Sequence, residues 1–296
     1  MKTKLIFIGI VISHLALGQT FTENISRELT FEKPSAVNAL VIANINGNIK
    51  VEGYDGESII LEAVKSIDAK TDARLELGKT EVQLGIIDRA DTIIVYVIDG
   101  CNQFVKKKSR ADRFGWHQAG WSYQSTDPQG CHTRYDYKMD LTVRVPNSVN
   151  LLASTINDGS VVVENVNGGV KAANINGSIR LVNLKREAEA HTINGDLDIE
   201  YALNPGRECR FYSLNGDINA LFQSGLAANV SFESFNGSFY TNVADIESIP
   251  DQVKKSTRGD GVHYKINGNR FKIGRGGALL DFETFNGNVY VKETKK

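Results

Sequence analysis

Residues 283–293 read ETFNGNVYVKE, and residues 43–52 read ANINGNIKVE. The same short unit recurs between them: NINGSI at 174–179, TINGDL at 192–197, SLNGDI at 213–218 and SFNGSF at 234–239. Looser copies are TINDGSV at 155–161, NVNGGV at 165–170 and KINGNRF at 265–271. Each has a small or hydroxyl residue, an apolar residue, Asn-Gly, a small polar residue and an apolar one. Most steps between the turn glycines are 9 residues or 18–21 residues. Self-similarity at a fixed period is the signature of a repeat architecture.

Asn and Gly both tolerate positive φ, so the pair predicts tight turns at Asn46-Gly47, Asn176-Gly177, Asn194-Gly195, Asn215-Gly216, Asn236-Gly237 and Asn286-Gly287. Flanked by alternating apolar residues, Asn-Gly is also a strong hairpin signal, so an antiparallel meander is the competing reading. The flanks decide between them. Thr155, Asn174, Thr192, Ser213, Ser234 and Thr284 all stand two residues before a turn Asn. Like residues recurring once per turn favour coils stacked in ladders, an all-β solenoid of two or three short strands per turn.

The first residues, MKTKLIFIGIVISHLALGQT, read as a secretory signal. Lys2 and Lys4 precede an apolar run, and Ala16-Leu17-Gly18 fits a cleavage site, so 1–18 is the expected signal peptide. No later stretch approaches the ~18 apolar residues of a membrane span. With 34 Lys+Arg against 35 Asp+Glu, the charge is balanced, which argues against nucleic acid or any general polyanion as partner.

Residues 19–35 read as a polar lead-in, and 36–293 as one domain. Three strands are expected over 36–65, a helix over 71–79 capped by Thr71, and strands at 80–87 and 91–98. Coils are expected to run without interruption from 149 to 243. Two polar insertions, at about 100–137 and 245–263, read as projecting loops, with two more turns after the second.

The combination of ANINGNIKVEGYDGE, LTVRVP and IGRGGALLDFETFNGNVYVKE resembles the exported putative-adhesin family of bacterial β-strand-repeat proteins, relatives of putative auto-transporter adhesin head domains. The resemblance covers about 36–293 apart from the insertions. It implies a single-stranded, right-handed β-helix in the periplasm or at the cell surface of a Gram-negative bacterium. It supplies no catalytic residues.

The first insertion holds the candidate site. Cys101 and Cys131 bracket it, and in an oxidising compartment two such cysteines form a disulfide, worth about 3 kcal/mol by chain entropy. A zinc site from Cys101, His117, Cys131 and His132 is the weaker alternative, because paired ligand spacing is missing. Inside lie Trp116, Trp121 and Tyr123 with the cations Lys106, Lys107, Lys108, Arg110 and Arg113. Rings stack on sugars and cations attract phosphate or carboxylate, so an envelope polysaccharide, or another envelope protein, is the expected partner. The plainer account weighs slightly more: the aromatics pin the loop to the body and the lysines are merely solvated.

Cys209 shares parity with Phe211 and Ser213, which predicts a buried, inert thiol. Asp158, Asp196 and Asp217 recur at turns, but the glycine register of calcium-binding coils is missing, so turn chemistry accounts for them. No metal or cofactor is expected. The chain reads as a non-enzymatic adhesin-like or structural protein. A sensing partner of a membrane regulator comes second, and a β-helix lyase or hydrolase, drawing on acids such as Asp196, Asp198 and Asp217, a distant third.

Overall fold

A computed structural model describes residues 18–33, 35, 37–106, 121–127, 129–249, 253–258, 261–266 and 269–295. The expected signal segment, residues 1–17 of it, lies outside this set. Among the described residues the chain is all-β, with one helix at Asp72–Glu81. Two large mixed sheets, of ten and eleven strands, face each other without closing into a barrel.

Between them the two sheets build a stack of rungs, each with one strand in either sheet. In spatial order, written with the eleven-stranded sheet first, rung I is Thr92–Ile98 with Asp136–Pro146, and rung II is Ala39–Ala43 with Ile49–Tyr54. Rung III is Asn150–Thr155 with Val161–Glu164, and rung IV is Val170–Asn174 with Ile179–Leu184. Rung V is Ala188–Asn194 with Leu197–Tyr201, and rung VI is Cys209–Asn215 with Ile218–Phe222. Rung VII is Ala278–Asn286 with Val289–Glu293, and rung VIII is Ala228–Asn236 with Phe239–Thr241. Neighbouring rungs pair in parallel and in register, Asn215 opposite Asn194 and Asn286 for example. A meander would have made these contacts antiparallel, so the hairpin reading of the repeats fails.

The alternation of each strand follows from its two faces. Ile49, Leu141, Val161, Ile179, Leu197, Ile218 and Val289 form one fully inward row, and the residues between them face water. From the opposite sheet come Ala153, Ala172, Ala190, Phe211 and Phe282, so small residues fill the middle rungs and rings fill the later ones. All belong to one continuous core.

Chain order and spatial order part company at both ends. The N-terminal copy of the repeat, rung II, lies between rungs I and III, although I follows it in sequence. The C-terminal copy, rung VII, lies between VI and VIII. The two near-identical end copies are thus interior layers. The copy KINGNRF is no stack corner at all: Gly261–Ile266 pairs antiparallel with Val253–Arg258, and Asn269–Ile273 antiparallel with rung VIII. One rung, not two, follows the second insertion. NVNGGV sits at the opposite corner from the others, on the passage from Glu164 to Val170.

The rung I end is capped on both strands, whereas at rung VIII Asn269–Ile273 covers only Ala228–Asn236 among the described residues. Gln83–Asp88 and Ile59–Ala69 run antiparallel to the two strands of rung I. Gln19–Leu29, within the expected lead-in, is an eleven-residue strand paired antiparallel to Ile59–Ala69. Only Phe21, Ile25 and Leu29 of it reach the core, and the backbone ladder holds the rest. The helix starts where expected, with Thr71 accepting a hydrogen bond from the Arg74 N–H, and Leu75 and Gly78 pack inward.

The Asn-Gly corners explain the repeat. The asparagines form one ladder: Asn176 Nδ2 donates to Asn157 Oδ1 at 2.8 Å, Asn194 to Asn176 at 2.8 Å and Asn215 to Asn194 at 2.9 Å. It continues from Asn286 to Asn215 at 2.8 Å and from Asn236 to Asn286 at 2.9 Å. The glycines stack beside it, but not chiefly for their φ. Gly47, Gly177 and Gly195 have positive φ, whereas Gly216, Gly237 and Gly287 do not. Each lies so close to the carbonyl of the next rung that a Cβ would overlap it: Gly195 on Gly177, Gly216 on Gly195, Gly287 on Gly216. Close approach selects glycine at all six corners, and positive φ adds to it at Gly47, Gly177 and Gly195.

The hydroxyl column points inward and bonds those same carbonyls. Thr155 donates to the Gly47 carbonyl at 2.9 Å, Thr192 to Gly177 and Ser213 to Gly195, both at 2.8 Å. These side chains are fully buried, so the bonds satisfy groups that would otherwise be orphaned.

Candidate binding site

The described residues of the first insertion do not form a free loop. Asn102–Lys106 and Trp121–Ser125 form an antiparallel hairpin, with Phe104 opposite Tyr123 and Lys106 opposite Trp121. It lies against the outer face of the eleven-stranded sheet, over Val41, Ala43, Ile94 and Leu152. That cover explains why ALVIA and TIIVYVI are apolar at successive positions: both faces of these strands are buried.

Three features fix the hairpin. Cys101 and Cys131 are joined by a disulfide with Cα atoms 5.4 Å apart. Asp99 accepts hydrogen bonds from the Cys101 N–H at 2.8 Å, the Asn102 N–H at 2.7 Å and the Tyr137 hydroxyl at 2.7 Å. The third is a layered aromatic stack. Tyr96 and Phe104 lie 4.9 Å apart, Phe104 and Trp121 5.6 Å, and the Arg89 guanidinium sits 5.8 Å from the Trp121 ring. Tyr123 meets Phe104 edge-on and donates its hydroxyl to the Ala43 carbonyl at 2.8 Å.

Of the ligand-facing residues expected from sequence, Tyr123 therefore faces the body. Burial pushes its phenol well above the ordinary tyrosine range. Trp121 is half-buried with its indole N–H enclosed and without a partner among the described residues. Lys106 is exposed at the hairpin's end. Lys107, Lys108, Arg110, Arg113 and Trp116 lie outside the described residues, as does His117. Sequence reasoning missed Asp99, Tyr96, Phe104 and Arg89. An Asp-Gly pair directly before a cysteine at a strand end was the one available signal.

The other candidates are structural. Asp196 Oδ1 accepts the Asp217 N–H at 2.8 Å, and Asp217 Oδ1 the Asn288 N–H at 2.7 Å, so these carboxylates serve the stack. Cys209 is a buried free thiol, 3.2 Å from the Tyr201 hydroxyl, and burial raises its pKa. A nucleophile needs the opposite shift. No described helix is long and apolar enough to cross a membrane.

Neither family models nor curated proteins match the chain. Among solved structures it is similar to a putative cell adhesion protein from Clostridium sporogenes, at 9% identity and TM-score 0.48, covering 93% of this chain and 100% of that one. It is also similar to a putative adhesin from Bacteroides fragilis, at 13% identity and TM-score 0.38, covering 92% and 97%. A putative lipid binding protein from Parabacteroides distasonis matches at 9% identity and TM-score 0.21, covering 92% and 97%. Identities this low with TM-scores below 0.5 carry no functional information. The chain's own residues must supply it.

Proposed function

We propose that this is an exported, non-enzymatic, adhesin-like protein of the cell envelope. On this reading the rungs form one right-handed, single-stranded β-solenoid domain. It serves as a rigid support, and the 101–137 segment is its binding surface for an acidic envelope polysaccharide. The observation that carries the reading is the hairpin's fixed base. A disulfide, the Asp99 hub and the aromatic stack hold Lys106 and Trp121 side by side. The residues joining them, 107–120, carry Trp116, Lys107, Lys108, Arg110 and Arg113. A rigid base lowers the entropy lost on binding. Cations beside a ring suit the carboxylate or phosphate groups and the apolar faces of acidic sugars. A disulfide fits export to an oxidising compartment.

The test is binding of the purified protein to isolated acidic envelope polysaccharide, beside a variant with 107–120 replaced by a Gly/Ser linker. Saturable binding that weakens with salt and is lost in the variant supports the reading. Equal binding by both forms, or none by either, refutes it.

A further inference from the structure

On the opposite side of the molecule, the outward face of the ten-stranded sheet carries a notch of about 380 Å³ across rungs IV to VII. Its floor and walls come from two neighbouring columns of the sheet. In one, Arg180, Asp198, Asn219 and Tyr290 are register partners on successive rungs. The short side chains Asp198 and Asn219 leave a gap between Arg180 and the Tyr290 ring. Three strand spacings, about 14 Å, separate those walls. In the second column stand Glu200, Leu221 and Lys292.

Tyr240 of rung VIII stacks on Tyr290 with centroids 5.0 Å apart and planes 13° apart. One face of Tyr290 is thereby covered, and its other face borders the notch. Asn219 Nδ2 donates to Asp198 Oδ1 at 3.0 Å, which fixes both planar groups. It leaves the Asn219 oxygen, its second N–H and the other Asp198 oxygen for a ligand. No described residue bonds the Arg180 guanidinium, and the Lys292 ammonium lies 5.5 Å from the Tyr290 centroid. Two acids and two bases line the notch, so its formal charge is zero.

We infer that this notch is a second, separate binding site, and that it takes a neutral, hydroxyl-rich sugar ring of a glycan chain. The ring's apolar C–H face lies against the side of Tyr290 turned to the notch, with the Lys292 ammonium close by. Its adjacent hydroxyls pair with Asp198 and Asn219, which together offer donors and acceptors in one plane. Arg180 and Glu200 hold hydroxyls at the two margins. A polyanion would meet Asp198 and Glu200 without a surplus of cations, and a purely apolar ligand would bury those same groups unpaired. The volume lies in the lower part of the range for small-molecule sites. The inference is independent of the 101–137 site, which lies on the other sheet and at the other end of the stack.

The test is calorimetric titration of the full protein with three neutral probes, cellohexaose, maltohexaose and chitohexaose, and with polygalacturonate as the acidic comparison. At least one neutral probe is expected to bind saturably. Affinity should fall at least tenfold in Tyr290→Ala and in Asn219→Trp, which fills the notch while keeping Tyr290. Tyr290→Phe should retain binding, and the 107–120 linker variant should bind unchanged. These positions face water, and unfolding curves report whether each variant folds. The inference is overturned if no neutral probe binds at millimolar concentration, or if Asn219→Trp binds as well as the native chain. Tighter binding of polygalacturonate at this site overturns it as well.

Discussion

Replacing Gly216 by Ala separates stacking from turn strain. Gly216 does not have positive φ, so as a turn residue it should accept Ala easily. As a stacking residue it should not, because its Cβ would overlap the Gly195 carbonyl, which is backbone and cannot swing aside. The corner of rung VI must then lift from rung V. Three hydrogen bonds involving side chains cross that gap near the corner: Ser213 Oγ to the Gly195 carbonyl at 2.8 Å, Asn215 Nδ2 to Asn194 Oδ1 at 2.9 Å, and Asp217 N–H to Asp196 Oδ1 at 2.8 Å. At about 1 kcal/mol each, their loss costs about 3 kcal/mol. Against that, Ala restricts the unfolded chain and recovers about 0.4–1 kcal/mol. The expected net destabilisation is about 2 kcal/mol or slightly more. Gly206→Ala is the matched control, since its Cβ would meet nothing within 4 Å. It should be neutral or mildly stabilising. Urea unfolding of both variants gives the two midpoints, with an unchanged slope expected. If Gly216→Ala lies within about 0.5 kcal/mol of Gly206→Ala, the stacking account of the repeat is refuted.

The disulfide closes a separation of 30 residues, so Cys101→Ala with Cys131→Ala should lower unfolding free energy by about 3.5 kcal/mol in the chain-entropy account. A loss below about 1 kcal/mol in urea titration would show that the segment is constrained without it. Alkali offers a third check. Burial raises the phenol pKa of Tyr123, Tyr135, Tyr137 and Tyr201, with Asp99 adding to the shift at Tyr137. Below about pH 10 both folded and unfolded chains keep these protons and stability is fully present. Above it only the unfolded chain ionises, so stability falls as pH climbs toward the raised values. Phenolate absorbance should therefore rise in two steps, the second coinciding with loss of the fold. A single step near pH 10 for all ten tyrosines, with the fold intact, would refute the burial argument.

Much of the corner chemistry was legible because side-chain parity in a strand is strict. Thr155, Thr192 and Ser213 recur at one position, and a position shared by rungs must share an environment. The asparagine ladder follows from the same logic. What the repeat unit lacks is an address. Nothing in NINGNI or TFNGNV states which neighbour it pairs with, so the interior placement of rungs II and VII had no local signal. The stacking role of glycine was not legible for a related reason: φ is a property of one residue, whereas the overlap at Gly216 belongs to two rungs. Gln19–Leu29 looked like a lead-in because few of its side chains are buried. Its apolar residues, Phe21, Ile25 and Leu29, recur every fourth position, which does not read as strand alternation. At the candidate site the two cysteines were readable as a pair. The inward turn of Tyr123 depends on an apolar outer face that only the folded sheet creates. The notch beside Tyr290 is assembled from four separate rungs, and no sequence window contains it.

The placement of rung VII bears on how such a chain can be made. A polypeptide delivered N-terminus first can lay down rungs III to VI in order, each on the last. Rung VIII is delivered next, yet its in-register partner in the parallel stack does not exist until residues 278–293 arrive. Until then rung VI presents two open strand edges, the kind that recruit other chains. Residues 278–293 thus act as a keystone, joining two rungs that precede them in the chain. A chain lacking residues 278–293 would lose a middle layer and leave two unmatched faces.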